Sequence, residues 1–204
     1  MIEATLDMKS SRLLFAVGLS LAVGASTARA NEIFKFDPAR STIEFKVKHF
    51  LGTVKGRFTK FSGIIEVDRE HPEKSAVTST IQAASFDTAI AKRDEHLCGE
   101  DCFNVQKFPE ITFKSRRVKQ TGPTAGEITG DLTMHGVTRE IMLRVELLGT
   151  PESAAKNQTT RWRVTTAPIK RSQFGLLWSK SVEAISMIGD EVVVDIQIEA
   201  AREK

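Results

Sequence analysis

Three observations predict an all-β fold. Apolar and polar residues alternate with period two through most of the chain after residue 40, the pattern of strands with one buried face. One stretch, 86–109, departs from that alternation. The aromatic set is 12 Phe and 2 Trp with no Tyr, so most rings bring apolar area without a hydroxyl that needs a partner. Such a chain forms a sandwich or a closed barrel. Long strands with one polar and one apolar face favour a barrel of about eight, a size that side chains fill or that holds one small ligand.

The elements follow in order. Ile43, Phe45, Val47 and His49 share one face, with Glu44, Lys46 and Lys48 on the other. Phe61, Gly63, Ile65 and Val67 repeat the pattern, and a change of parity between Phe58 and Phe61 places a bulge near Thr59-Lys60. Val77, Ser79, Ile81 and Ala83 form the next run, then Ile111, Phe113 and Ser115. Ile128, Gly130, Leu132 and Met134 lead into a tight turn at His135-Gly136, and Ile141, Leu143, Val145 and Leu147 lead out of it. Trp162 and Val164 alternate with Arg161, Arg163 and Thr165. The last run, Val192, Val194, Ile196 and Ile198, is the clearest, for a total of eight or nine strands. The exception, 86–109, reads as loop plus a short helical segment that stops at Pro109. Small residues on the inner faces (Gly56, Gly63, Gly130, Ser79, Ala83 and Ser85) beside large Phe leave room for a cavity.

The chain has 204 residues, 41% of them hydrophobic and 27% charged, the balance of one soluble domain. A net charge of +3 is too mild for a nucleic-acid partner. The four His have no H-x-H or H-x-x-x-H spacing and only two Cys are present, so no metal site is expected. Residues 13–23 form an apolar run preceded by Lys9 and Arg12 and followed by Ala28-Arg29-Ala30. That reads as a cleavable signal peptide cut after Ala30, with an uncleaved membrane anchor as the alternative, and cleavage leaves one domain over 31–204, expected in the periplasm. Glu3 and Asp7 are out of place in its first segment, and a start at Met8 removes both.

A set of motifs runs in order through nearly all of the chain after residue 40. They are Ser41-x-x-x-Phe45-x-x-x-His49, Gly56-x-Phe58-x-x-Phe61-x-Gly63 and Ala84-Ser85-Phe86-Asp87-Thr88. Arg93-Asp94-x-His96-Leu97 follows, with Phe103, then Phe108-Pro109-x-Ile111-x-Phe113-x-Ser115 and Gly130-Asp131-Leu132-Thr133-Met134-His135-Gly136. In these the chain resembles the YceI-like family of bacterial secreted proteins. The resemblance implies an extended eight-stranded antiparallel β-barrel, lipocalin-like, that binds a polyisoprenoid or an isoprenoid quinone rather than catalysing a reaction. It also opens the question of a homodimer. The chain departs from the family twice: Arg40 stands where His precedes the first Ser, and Cys98 and Cys102 flank Gly99-Glu100-Asp101 after the His-Leu pair.

On this reading Phe45, Phe58, Phe86, Phe103, Phe113 and Met134 line the apolar site. Arg93, Asp94, His96 and His49 form its polar end. The Arg93–Asp94–His96 cluster reads either as a cap on a headgroup, where the Arg fork suits phosphate oxygens, or as a pin that holds the 86–109 loop on the barrel. Cys98 and Cys102 are a disulfide candidate in an oxidising compartment, with free thiols and a redox pair as alternatives. Apart from the bound isoprenoid, no cofactor is expected. Two other functions remain open: an enzyme using His96 or His49 with Asp94, and a module that serves a membrane electron-transfer protein. Arg161, Arg163, Lys170 and Arg171 are a candidate contact for a membrane surface. Asn157-Gln158-Thr159 matches the short glycosylation pattern.

Overall fold

The structure, a computed structural model, describes residues 31–50, 52–149, 158–177 and 188–203. The signal-peptide segment and Asn157 lie outside the described residues. Among these residues twelve strand segments follow one another: β1 (Glu32–Phe36), β2 (Thr42–His49), β3 (Gly52–Phe58), β4 (Phe61–Val67), β5 (Ala76–Gln82), β6 (Phe86–Asp87), β7 (Glu110–Gln120), β8 (Ala125–Met134), β9 (Val137–Gly149), β10 (Thr159–Thr166), β11 (Ile169–Lys170) and β12 (Glu191–Arg202). Among the described residues one α-helix, α1 (Ala91–Cys98), lies between β6 and β7.

The segments close into an eight-stranded antiparallel barrel, in the order β1-β4-β5-β7-β8-β9-β10-β12 and back to β1. Closure removes the sheet edges that an open sheet would expose. The two closing strands meet in the pairs Phe34–Arg202 and Phe36–Ala200. Three barrel strands are bent, and this is why more segments appear than strands were read from the sequence. β1 and β2 lie along successive parts of β12. β3 and β4 form one path broken at Thr59-Lys60, where the sequence called for a bulge. Across the break the Thr59 amide donates to the Ser85 carbonyl at 3.0 Å, and the Gln82 amide to the Lys60 carbonyl at 2.9 Å. β5 and β6 are joined by a single 3₁₀ turn, Ala83–Ser85.

Two features escaped the sequence reading. β1 was not anticipated, although its burial alternates, with Glu32 and Phe34 buried and Ile33 and Lys35 exposed. β7 runs to Gln120, because a bulge between Ser115 and Arg117 shifts the parity and returns Val118 to the interior.

The turn between β8 and β9 explains a local sequence choice. His135 and Gly136 have φ of +51° and +74°, the pair of left-handed residues that a two-residue I′ hairpin needs. His135 meets that demand with help. Its ring packs on Phe108, with centroids 4.6 Å apart, and its Nδ1 lies 3.3 Å from the Phe174 carbonyl.

The closed core sits where β1, β2, β4 and β12 meet: Phe34, Ile43, Phe61, Ile198 and Ala200 are buried there. Elsewhere the inward residues, including Leu143, Val145 and Val194, are only half-buried. A barrel whose inward side chains are not fully covered holds a space.

Candidate functional site

That space is a cavity of about 530 Å³, lined mainly by apolar side chains from every barrel strand. The volume lies inside the range of roughly 300–1,000 Å³ usual for small-molecule sites. Its lining extends from the β4–β5 and β7–β8 connections at one end (Asp68, Ser75, Thr124) to Leu97, Phe103 and Leu177 at the other. β9 has 13 residues, about 43 Å of strand. Tilted by roughly 40°, such a strand spans about 30 Å of barrel height. A cavity lined at both ends of such a barrel suits one extended chain.

An aromatic wall forms one side. Phe45 on β2 lies 5.6 Å from Phe58 on β3, ring centre to ring centre, and Phe58 lies 4.7 Å from Phe86 on β6. Phe86 meets Phe103 edge-on at 4.6 Å. Phe103 follows α1, so the helical segment is attached to the barrel through these rings. The six residues read from the sequence as apolar lining, Phe45, Phe58, Phe86, Phe103, Phe113 and Met134, all border the cavity.

The four polar residues stand elsewhere: none of Arg93, Asp94, His96 and His49 lines it. Arg93 Nε donates to Thr88 Oγ1 at 2.8 Å and Nη2 to the Thr88 carbonyl at 2.7 Å. Asp94 accepts the Thr88 amide at 3.0 Å and the Thr88 hydroxyl. The pair therefore clamps buried Thr88, which ties α1 to β6, and these contacts are those of a pin. His96 is exposed, and it lies two positions from Asp94, a spacing at which helix side chains do not face each other. His49 ends β2 opposite Gly52, past the last inward residue of that strand.

Two further expectations change. Cys98 and Cys102 are not joined in a disulfide. Cys98 ends α1, and the chain then winds through a turn in which the Cys102 amide donates to the Gly99 carbonyl. This sets Cys102 against the cavity, while burial, with Asp94 nearby, raises the Cys98 thiol above its usual pKa. The small inner residues also act differently from the expectation, since Gly56, Gly63, Gly130, Ala83 and Ser85 do not border the cavity and Ser79 does. A side chain at Gly56 would strike the Phe45 ring, one at Gly63 the Phe36 ring, and one at Gly130 the Phe113 ring and the Lys114 carbonyl. These glycines are seats for neighbouring rings.

Several lining residues were missed: Phe36, Leu97, Trp162 and Leu176, and the polar residues Arg69, Lys119, Asp101 and Arg171 at the two ends. Trp162 was legible, being on the apolar parity of its strand. Arg171 was not. It looked like surface charge, yet it is buried and donates to the carbonyls of Leu176 at 2.6 Å and Gly189 at 3.1 Å. The basic group read from the sequence is thus dispersed: Arg161 pairs with Glu199, Arg163 lies 3.9 Å from Glu146, and Arg171 is internal.

Comparison with known proteins places this architecture. A UPF0312 protein of Vibrio parahaemolyticus is 37% identical over 145 residues, covering 70% of this chain and 76% of its own. Among solved structures, Burkholderia cenocepacia BcnA is similar with a TM-score of 0.71 at 26% identity, covering 81% of this chain and 99% of that one. The YCEI protein of Campylobacter jejuni matches with a TM-score of 0.62 at 32% identity, over 74% of this chain and 85% of that one. A structure described as a polyisoprenoid binding domain from Saccharophagus degradans shares the fold, with a TM-score of 0.61 at 17% identity over 83% of this chain and 98% of that one. The model of the YceI-like domain matches residues 34–200, and with the closed barrel and its motifs this shows that the chain belongs to the YceI-like domain family.

Proposed function

We propose that this protein binds a long isoprenoid lipid, a polyprenyl chain or an isoprenoid quinone, within its barrel and carries it through the periplasm. The observation that carries the reading is the apolar cavity of about 530 Å³ whose lining reaches both ends of the barrel. A tail of about 40 carbons buries on the order of 700 Å² of apolar surface, roughly 17 kcal/mol gross at about 25 cal/mol/Å². Ordering the chain and associating it remove much of this, and the rest suits retention of a molecule insoluble in water. The S. degradans domain, whose description names a polyisoprenoid, supports the same class of occupant. The sequence reading of residues 1–30 as an export signal supports a carrier in the periplasm, where free isoprenoids need one.

Binding, rather than catalysis, is the function we infer. Asp94 is engaged with Thr88 and His96 faces solvent, so the acid–base pair that an enzyme reading needs is not assembled.

Native mass spectrometry of the protein from its own host, followed by solvent extraction, tests the proposal. An adduct several hundred daltons heavier that releases an isoprenoid is expected. A clean protein mass after gentle purification overturns it.

A further inference from the structure

The end of the barrel that carries α1 leaves three large apolar side chains in water. Phe50, in the turn between β2 and β3, is 73% exposed, Leu177 60% and Ile90 52%. Single exposed apolar residues are ordinary, but these come from three segments that the fold gathers at one end. The Gly189 amide donates to the Lys48 carbonyl at 2.8 Å, and Arg171 donates to the carbonyls of both Gly189 and Leu176. Leu176 and Leu177 therefore lie near the turn end of the β2–β3 hairpin. Ile90 follows Thr88, whose methyl faces Gly56 on β3. Leu177 also borders the cavity, so this apolar rim is continuous with the cavity mouth.

The outer face of the same hairpin is basic. Lys46 and Lys55 are direct cross-strand partners, and Lys48 lies two residues along on the outer side. Like charges placed opposite each other are destabilising. No ion pair holds any of the three among the described residues. On the other side of Lys46 stands Val193 of β12, itself exposed. Three arginines on the outside of the barrel are matched, Arg57 with Asp87, Arg116 with Asp131 and Arg161 with Glu199. Lys60, Lys74 and Lys114, like the hairpin lysines, are in no ion pair among the described residues. What sets the hairpin apart is the clustering of its cations beside the apolar rim. The exposed acids of this end are Glu95, Glu100 and Asp101, in α1 and the turn after it, and Glu191 of β12, which is paired in register with Lys170 and stands beside Lys48.

We propose that the β2–β3 hairpin docks the barrel on an anionic bilayer surface. Phe50 enters the interfacial layer, Lys46, Lys48 and Lys55 meet the lipid phosphates, and the mouth beside Leu177 faces the membrane. An aromatic tip ringed by lysines is the side-chain set that seats at such an interface. A lipid surface fits better than an acidic protein because the basic patch adjoins an apolar opening. A chain that passes from bilayer to cavity there does not cross water. The proposal takes its purpose from the lipid-binding reading, while the contact itself stands on the hairpin.

The test is co-sedimentation of purified, delipidated protein with vesicles of phosphatidylethanolamine and phosphatidylglycerol, against vesicles of phosphatidylcholine alone. Binding to the anionic vesicles is expected, much weaker on phosphatidylcholine. At roughly fivefold per lysine near an anionic surface, K46Q/K48Q/K55Q weakens it about 100-fold. Phe50→Ser weakens it about tenfold. A control of equal charge, K60Q/K74Q/K114Q, removes lysines away from the hairpin and retains near-native binding. Equal loss in both triple variants overturns the proposal. So does undiminished binding of the hairpin triple variant, and so does absence of binding by the wild type, which leaves the patch to an acidic protein partner. The cavity-filling variant Ser79→Trp separates the two readings: it docks on anionic vesicles but carries no lipid. If the wild type also carries none yet docks, the cargo assignment fails and the docking surface stands.

Discussion

Glu199 shows how one residue on the outside of a barrel holds its closure. It lies on the outer side of β12 but is only 4% exposed, beneath Arg40 at 2.9 Å and Arg161 at 3.1 Å. The Ser41 hydroxyl donates to its carbonyl, and its amide donates back to the Ser41 oxygen at 3.0 Å. These bonds fasten the bend between β1 and β2 to β12, and Arg40, which departs from the family's His, supplies one of the cations. The hydrogen bond from Arg40 holds the Glu199 carboxyl below its usual 4.5; burial opposes this, and Arg161 reinforces it. A carboxyl lowered in the folded state contributes stability above the unfolded value and loses it as the pH falls through the folded one. Glu199→Gln should therefore lower stability at neutral pH by about 2 kcal/mol, a fall in Tm of roughly 4–8 °C for a chain of this size. The deficit should narrow as pH drops below 4.5, and thermal melts at pH 7 and pH 3.5 measure it. A constant deficit across that range would show that the charge has no part in closure. The glycines give a second contrast at this scale. A Cβ at Gly130 meets the Lys114 carbonyl at 2.5 Å, whereas one at Gly63 meets only the movable Phe36 ring. Gly130→Ala should cost about 2 kcal/mol and Gly63→Ala less than about 1, partly offset by reduced freedom of the unfolded chain. Equal melting temperatures for the two variants would contradict this reading.

At the scale of elements, the strands were legible and their bends were not. Alternation in Ile43–His49, Ile128–Met134 and Val192–Ile198 announced β2, β8 and β12 because one face of each meets the interior and the other meets water. Bends do not alternate. The parity change at Thr59-Lys60 was visible only because Phe flanks it on both sides, while the bulge after Ser115 has no such marker. The 86–109 segment was correctly read as loop and short helix, yet the partners of its charged residues were hidden. A sequence shows that Arg93 and Asp94 adjoin, but not that both turn back on Thr88, a contact that depends on how α1 leaves β6. That contact makes a prediction at this scale. Asp94→Ala removes the acceptor of two bonds that Thr88 donates, from its amide and its hydroxyl, and should loosen α1 while leaving the barrel intact. Hydrogen exchange in residues 88–103 should speed up by tenfold or more, as expected for losing about 1.5–3 kcal/mol of charged hydrogen bonding. β8 and β9 should keep their protection. Faster exchange throughout the barrel would mean that the clamp supports the whole fold.

At the scale of the whole molecule, closure and emptiness are linked. Eight strands make a barrel just wide enough to fill or to hold one ligand, and here the filling is uneven. Phe34, Phe61 and Ile198 close the side where β1 meets β12, while Leu143, Val145 and Val194 look across an open interior. The sequence indicated the inward faces but not this asymmetry. Whether Gly63 or Ser79 leaves space depends on which ring lies opposite: Phe36 covers Gly63, and Ser79 is left facing the cavity. That difference makes Ser79 the position from which to fill the barrel. Ser79 sits on β5 between β4 and β7, opposite Gly63 and Phe113. An indole there enters the existing space, so Ser79→Trp should fold with a Tm within a few degrees of wild type, since it adds apolar burial without displacing packed atoms. The same variant should lose any retained isoprenoid, as read by extraction from protein purified from its own host. Retention of the lipid with an unchanged fold would place the occupant outside the cavity. Loss of the fold instead would mean that the space is too narrow to admit a ring, and a smaller filling, Ser79→Leu, would then measure how much of the chain the barrel encloses.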